Sequence, residues 1–150
     1  VLLFMLHDNS STIEFAEKLA NNLDLQLVSI SNSIKRIGNS KRLRGCGPEE
    51  FLTLIRDAEY VVTDSFHASA MSVIFNKNLY IGLKAGDLVS LNTRIDTLAE
   101  KFQIKDRIIK EKMTENNPIN LDYINSQLEK EKQFGCEVVI KMIDLVKSDE

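Results

Sequence analysis

The sequence predicts an α/β fold: a doubly wound parallel sheet of five strands, flanked by helices and followed by a long C-terminal helix. Short apolar runs alternate with segments of helical spacing along most of the chain. The first run, residues 1–6, is apolar throughout, as expected of a strand covered on both faces. Residues 120–147 keep helical periodicity without a strand-like interruption.

The predicted strands occupy residues 1–6, 25–30, 60–63, 79–83 and 107–109. With the strand order 2-1-3-4-5, which is common in doubly wound sheets, the order in which strands are added reverses, and the switch point lies between the first and third strands. Ligands of such sheets bind beyond the carboxyl ends of the strands at this switch point. The loops that meet there are residues 7–10 and 64–67, and they contain both histidines of the chain, His7 and His67.

Each predicted helix begins at a recognisable start signal. Ser10 or Ser11, with Glu14 completing a capping box, is predicted to cap the first helix. The other signals are Pro48 in the first turn of the second helix, Asp64-Ser65 before a helix at residues 66–75, and Asn92 or Thr93 before the fourth. Gly135 marks a point where the last helix is able to bend or divide.

Composition narrows the class of protein. At 150 residues and 43% hydrophobic content, the chain suits one domain with its own core. A net charge of −3 argues against a general binder of nucleic acid or membrane surfaces, and no apolar run approaches the ~20 residues of a membrane span. Cys46 and Cys136 form no metal-binding or redox motif, which predicts free thiols in a reducing, cytoplasmic compartment.

Residues 1–150 are predicted to form a single α/β domain. The chain starts directly inside an apolar run, so we expect it to be the C-terminal half of a larger, two-domain protein. It contains no phosphate-loop lysine motif, no G-x-G-x-x-G and no zinc spacing, which disfavours the commonest nucleotide and metal enzymes.

His67 is the strongest candidate for chemistry. It lies in the first turn of a predicted helix, where free N–H groups and the positive end of the helix dipole attract carboxylates and phosphates. Its imidazole is able to bind an anion or to move a proton near neutral pH. The alternative is a structural histidine bonded to a neighbouring loop.

The neighbouring polar residues have two interpretations each. Asp64 and Ser65 cap the helix or bind substrate, while His7 and Asp8 are more often loop hydrogen-bonding residues than ligand contacts. Arg94, just beyond the fourth strand, is placed either to clamp a carboxylate or to lie on the surface. The basic loop is either an anion-binding flap or a solvated face, and its charged residues are Lys35, Arg36, Lys41, Arg42 and Arg44.

The segment from Gly47 to Tyr80, GPEEFLTLIRDAEYVVTDSFHASAMSVIFNKNLY, resembles the C-terminal domain of the polysaccharide pyruvyl transferase family. The block Thr63-Asp64-Ser65-Phe66-His67 is the most specific part of this likeness. Asn92-Thr93-Arg94-Ile95 and the last helix are also similar. Several members carry an arginine where this chain has Ser65, and a glycine commonly follows the histidine where it has Ala68.

The resemblance implies a transferase that moves a pyruvyl group from phosphoenolpyruvate to sugar hydroxyls, forming a ketal on a surface glycan. Members resemble two-domain glycosyltransferases of the B type, with the active site between the domains. The partners are then a small-molecule donor, a glycan acceptor and the N-terminal domain, without which we expect the chain to fold but to be inactive. No metal and no cofactor other than the donor phosphoenolpyruvate is implied.

For the site, the resemblance makes His67 a donor-site residue and the predicted catalytic residue. The predicted substrate-binding residues are Asp64, Ser65, Phe66, Arg94, His7, Asp8 and Asn9. Two other functions stay open: a glycosyltransferase of B-type fold that uses a nucleotide-sugar donor, and a non-catalytic domain that binds a glycan or a partner protein.

Overall fold

The computed structural model describes residues 1–31, 37–84, 86–110, 113 and 118–148. The chain divides into two compact units, Val1–Ile119 and Asn120–Glu150. The first unit contains the sheet and four α-helices, and the second contains the last helix.

All strands of the five-stranded sheet run parallel, in the order β3-β2-β1-β4-β5. They are β1 (Leu2–Met5), β2 (Val28–Ser31), β3 (Lys41–Leu43), β4 (Tyr60–Thr63) and β5 (Asn78–Ile81). The predicted α/β class and the neighbour relations of β2, β1, β4 and β5 are confirmed. As predicted, the order reverses beside β1, which lies between β2 and β4.

The predicted edge strand was wrong. Residues 107–109 form no strand; only an isolated bridge joins Ile108 to Ile81, after a 3-10 helix at Lys105–Arg107. Arg107 still belongs to that 3-10 helix, so its backbone is not extended and only Ile108 pairs with β5. The guanidinium of buried Arg107 lies 5.1 Å above the ring of Tyr80. The fifth strand is instead β3, on the opposite edge, which pairs with β2 despite its two basic residues. Charged residues are common on edge strands because one side of such a strand faces solvent.

The helices match the predicted segments closely. They are α1 (Ser10–Asn22), α2 (Pro48–Asp57), α3 (Phe66–Ile74), α4 (Thr93–Lys101) and α5 (Leu121–Ser148). Pro48 does begin α2, and α5 continues unbroken through Gly135. A 3-10 helix at Gly86–Asn92 precedes α4.

The cap of α1 corrects the sequence prediction. Its N-cap is Asn9, whose side-chain oxygen accepts a hydrogen bond from the N–H of Thr12. Ser10 is the first residue of the helix, and the hydroxyl of Ser11 donates to Asn9 Oδ1 at 2.7 Å. The chain therefore enters the helix two residues earlier than a capping box of Ser11 and Glu14 predicts.

The core of the first unit forms where α1 packs on the sheet. Phe15 of α1 lies 4.8 Å from Tyr80 of β5, measured between ring centroids. The other buried residues of this cluster are Leu3, Met5, Ala16, Leu19, Ala20, Leu27, Ile37 and Val62. A close-packed apolar core of this kind fixes the positions of the strand ends, and therefore the starting points of the loops that follow them.

Candidate active site

The loops after β1 and β4 lie side by side. These strands pair in parallel, with Leu3 opposite Val62 and Phe4 opposite Thr63. Both strands therefore end at the same edge of the sheet, and the chain leaves that edge at Leu6 and at Asp64. The structure thus brings the predicted site residues of the two loops together.

Asp64 connects the two loops. Its side chain is 1% exposed, and both carboxylate oxygens accept hydrogen bonds from the β1 loop. Oδ1 accepts from the N–H of Leu6 at 2.8 Å, and Oδ2 accepts from the N–H of His7 at 3.0 Å. The same Oδ2 lies 3.1 Å from Nδ1 of His7. Of the interpretations of Asp64, the helix cap is therefore wrong, because its carboxylate is engaged by the other loop.

Ser65 caps α3. Its hydroxyl accepts from the N–H of Ala68 at 3.4 Å, and its own N–H donates to Oγ1 of Thr63 at 3.0 Å. Ser65 is almost fully buried. Its side chain therefore caps the helix. The N–H groups of Phe66 and His67, also in the first turn, have no hydrogen-bond partner within the described parts of the chain.

His67, Phe66 and Arg94 form a surface cluster at the start of α3. The ring of His67 stands edge-on to that of Phe66, with centroids 5.7 Å apart. The guanidinium carbon of Arg94 lies 5.2 Å from the centroid of the Phe66 ring. His67 and Arg94 are both exposed. The predicted proximity of Arg94 to this helix is thus observed, and the aromatic ring of Phe66 lies between two groups suited to anions.

Asn9 ties the β1 loop to the end of β5. While its Oδ1 caps α1, its Nδ2 donates to the carbonyl oxygen of Leu83 at 2.9 Å. Asp8 is exposed beside it. His7 has the loop hydrogen bonds that the sequence favoured, whereas those of Asn9 were not predicted. Whether His7, Asp8 or Asn9 also contacts substrate stays a prediction.

Lys84 is a site residue that the sequence analysis missed. Its Nζ donates to the backbone oxygen of Asp64 at 2.8 Å. The Asn92 side chain holds the Lys84 backbone, accepting from its N–H at 3.0 Å and donating to its carbonyl at 2.9 Å. Asn92 occupies the predicted cap position of α4 without capping it by its side chain. Lys84 was detectable in principle, because it follows the strand beside β4 at the same edge of the sheet.

A concavity of about 690 Å³ lies on the β2 and β3 side of β1. Phe4, Phe51, Arg42 and Arg44 are among its lining residues. Of the predicted basic flap, Lys41 and Arg42 belong to β3, and Lys35 and Arg36 lie outside the described residues. Cys46 also lines this cleft, where burial and the nearby Glu50 raise the pKa of its thiol, which disfavours the reactive thiolate.

Within residues 1–31, 37–84, 86–110, 113 and 118–148, no three His, Cys, Asp or Glu side chains cluster as metal ligands. Over the same ranges, no helix has the length and apolar character required to cross a bilayer.

Comparison with known proteins identifies the family. The model of the family described as polysaccharide pyruvyl transferase matches residues 1–81, which include His7 and the segment from Asp64 to His67. Comparisons with curated proteins and with solved structures find no match. The family match covers more than half of the chain and agrees with the resemblance found in the sequence around Asp64 and His67. The chain belongs to the polysaccharide pyruvyl transferase family.

Proposed function

We propose that this chain is the donor-binding domain of a polysaccharide pyruvyl transferase. It binds phosphoenolpyruvate and supports transfer of the pyruvyl group to sugar hydroxyls as a ketal. The observation that carries the proposal is the cluster at the start of α3. There His67 and Arg94 are exposed, and the N–H groups of Phe66 and His67 have no partner among the described residues.

The chemistry of the donor fits this cluster. Phosphoenolpyruvate has a carboxylate and a phosphate on one small carbon frame, so its site needs several hydrogen-bond donors and positive charge. The N–H groups of Phe66 and His67, which no described residue accepts, supply donors at the positive end of the helix dipole. The guanidinium of Arg94 supplies a planar pair of donors suited to a carboxylate or phosphate.

His67 has the catalytic role in this proposal. An exposed imidazole in the first turn of α3 is able to hydrogen-bond the departing phosphate or to protonate the enol carbon. Both interactions strengthen as the transition state is approached, which is the condition for lowering the barrier. Ser65 stands where several members carry an arginine, and Arg94 supplies a guanidinium beside Phe66 at the same helix terminus.

We further propose that a second domain completes the site. His67 and Arg94 are exposed, whereas transfer to a sugar hydroxyl rather than to water requires the reacting centre to be shielded. The glycan acceptor would then bind between this domain and the other one. A polypeptide containing both domains should transfer pyruvyl groups, and residues 1–150 alone should bind the donor without turnover.

Donor binding is tested directly on the chain. Amide chemical shifts of the ¹⁵N-labelled protein are followed during titration with phosphoenolpyruvate, inorganic phosphate and a nucleoside diphosphate. Selective shifts at Phe66, His67 and Ala68, strongest with phosphoenolpyruvate, are the expected result. Stronger binding of the nucleoside diphosphate would favour a nucleotide-sugar glycosyltransferase, and no response to any of the three would contradict donor binding.

A further inference from the structure

We propose that His7 and Asp64 form an acid–base dyad, in which Nε2 of His7 takes the proton of the attacking sugar hydroxyl and Asp64 positions the ring. This inference rests on the proposed function and adds a second histidine to it. His67 then serves the donor, and His7 serves the acceptor.

The hydrogen bonds of Asp64 fix the ring of His7. A carboxylate only accepts hydrogen bonds, so Nδ1 of His7 must carry a proton to bond with Oδ2 at 3.1 Å. The carboxylate itself is held by the N–H groups of Leu6 and His7, at 2.8 and 3.0 Å. Lys84 Nζ donates a hydrogen bond to the Asp64 backbone oxygen at 2.8 Å. Both the carboxylate and the backbone of Asp64 are therefore held in place.

This tautomer leaves the lone pair of the neutral ring on Nε2, at the edge opposite Nδ1. Asp64 is buried, whereas 39% of the His7 side chain is exposed, so the accessible part of the ring lies away from the carboxylate. A lone pair accepts a proton from a hydroxyl but repels an anionic donor. The imidazolium that forms is stabilised by the carboxylate behind it.

His67 differs from His7 in how its ring is held. Within the described residues its ring has an edge-on contact with Phe66 but no hydrogen bond, and it is exposed. Among the described residues, none supplies a carboxylate that bonds to its ring and sets its tautomer. His7 is therefore the better positioned base, and His67 is the better anion contact.

The overall reaction balances with this assignment. In the first addition, the hydroxyl oxygen bonds to C2 of the enolpyruvyl group, its proton passes to Nε2 of His7, and C3 takes a proton from an acid, for which His67 is the candidate. The C2–O bond to phosphate then breaks with its electron pair, and a second hydroxyl of the sugar bonds to C2. The sugar loses two hydroxyl protons in all. The loss of one is balanced by the proton that C3 gains in the new methyl group, and the other leaves with the phosphate.

The first test is spectroscopic and needs no catalysis. The chain has two histidines, so long-range ¹H–¹⁵N correlations of the labelled protein resolve both rings, and a His67→Gln variant assigns them. We expect the neutral His7 ring to carry its proton on Nδ1, and an Asp64→Asn variant to lose this preference. A proton on Nε2 of His7 in the unaltered protein would overturn the dyad.

The second test is kinetic and uses a protein that transfers pyruvyl groups. His7→Asn keeps a side-chain N–H for Asp64 but lacks the distal base, so kcat should fall by about 100- to 10,000-fold with the KM for phosphoenolpyruvate unchanged. Added imidazole should restore part of the turnover of His7→Ala. An unchanged kcat in His7→Asn would overturn the role as base. If the unaltered protein neither binds nor uses phosphoenolpyruvate, the proposed function fails instead, and the tautomer measurement still reports on the dyad geometry.

Discussion

Oδ2 of Asp64 lies 3.1 Å from Nδ1 of His7, although the two residues are 57 positions apart in the sequence. The same carboxylate accepts the N–H groups of Leu6 and His7. One buried side chain thereby fixes the geometry of the loop after β1 relative to the start of α3. The contact makes the two loops one structural unit at the switch point of the sheet.

Removing the imidazole of His67 should reduce transfer without harming the fold. In a polypeptide with transferase activity, His67→Ala should lower donor-dependent turnover by about 100- to 10,000-fold, because a positioned acid–base group is lost. The side chain is exposed and has no hydrogen bond within the described residues, so Tm should stay close to the unaltered value. Initial rates and thermal melts on the same preparation separate the two effects. Full turnover in a folded variant would exclude His67 from the site.

Removing the carboxylate of Asp64 should destabilise the domain. Asp64→Ala leaves the N–H groups of Leu6 and His7 without their acceptor, and we expect a loss of about 2–3 kcal/mol in the free energy of unfolding. Denaturant unfolding followed by circular dichroism measures the difference. The control is Asp8→Ala, which removes an exposed carboxylate of the same loop. It should lower the free energy of unfolding clearly less than Asp64→Ala does. Equal losses in the two variants would contradict the anchoring role of Asp64.

The cap of α1 offers a test of structure against sequence pattern. Asn9→Ala removes both the cap of the Thr12 N–H and the bond to the Leu83 carbonyl, so we expect a loss of about 1–2 kcal/mol in unfolding free energy. Ser10→Ala should be nearly neutral, since Ser10 is the first helical residue, is exposed and is not the cap. Urea unfolding of the two variants distinguishes the positions. A larger effect at Ser10 would restore the cap that the sequence pattern predicted.

Two glycine substitutions should have opposite effects. A Cβ on Gly82 would overlap the hydroxyl of buried Thr12 and lie 2.8 Å from its methyl carbon, so Gly82→Ala should destabilise by about 1–3 kcal/mol. A Cβ on Gly135 meets nothing within 4 Å in the middle of α5, so Gly135→Ala should favour the helix by about 1 kcal/mol. Thermal unfolding of the Gly82 variant and helix content of the Gly135 variant provide the measurements. A neutral Gly82→Ala would show that α1 is free to move away from the end of β5.

The sequence by itself determined the α/β class, the five α-helices and the order β2-β1-β4-β5 of four strands along the sheet. These follow from local signals: apolar runs define strands, and helical spacing with Pro48 or Ser65 at the start defines helices. The placement of His7 and His67 at one sheet edge also followed, because parallel strands end at a common edge.

The tertiary structure alone decided the edges of the sheet and the partners of the site. Lys41–Leu43 has no apolar pattern and becomes β3 only because β2 offers it backbone hydrogen bonds. Arg107 is part of a 3-10 helix, so residues 107–109 form only an isolated bridge. Asp64 had a local role available as a helix cap, but the backbone N–H groups of a distant loop bind its carboxylate instead. Lys84 reaches the same residue through its backbone oxygen. Such contacts depend on the spatial distances between segments that are far apart in the sequence, and local residue patterns do not determine those distances.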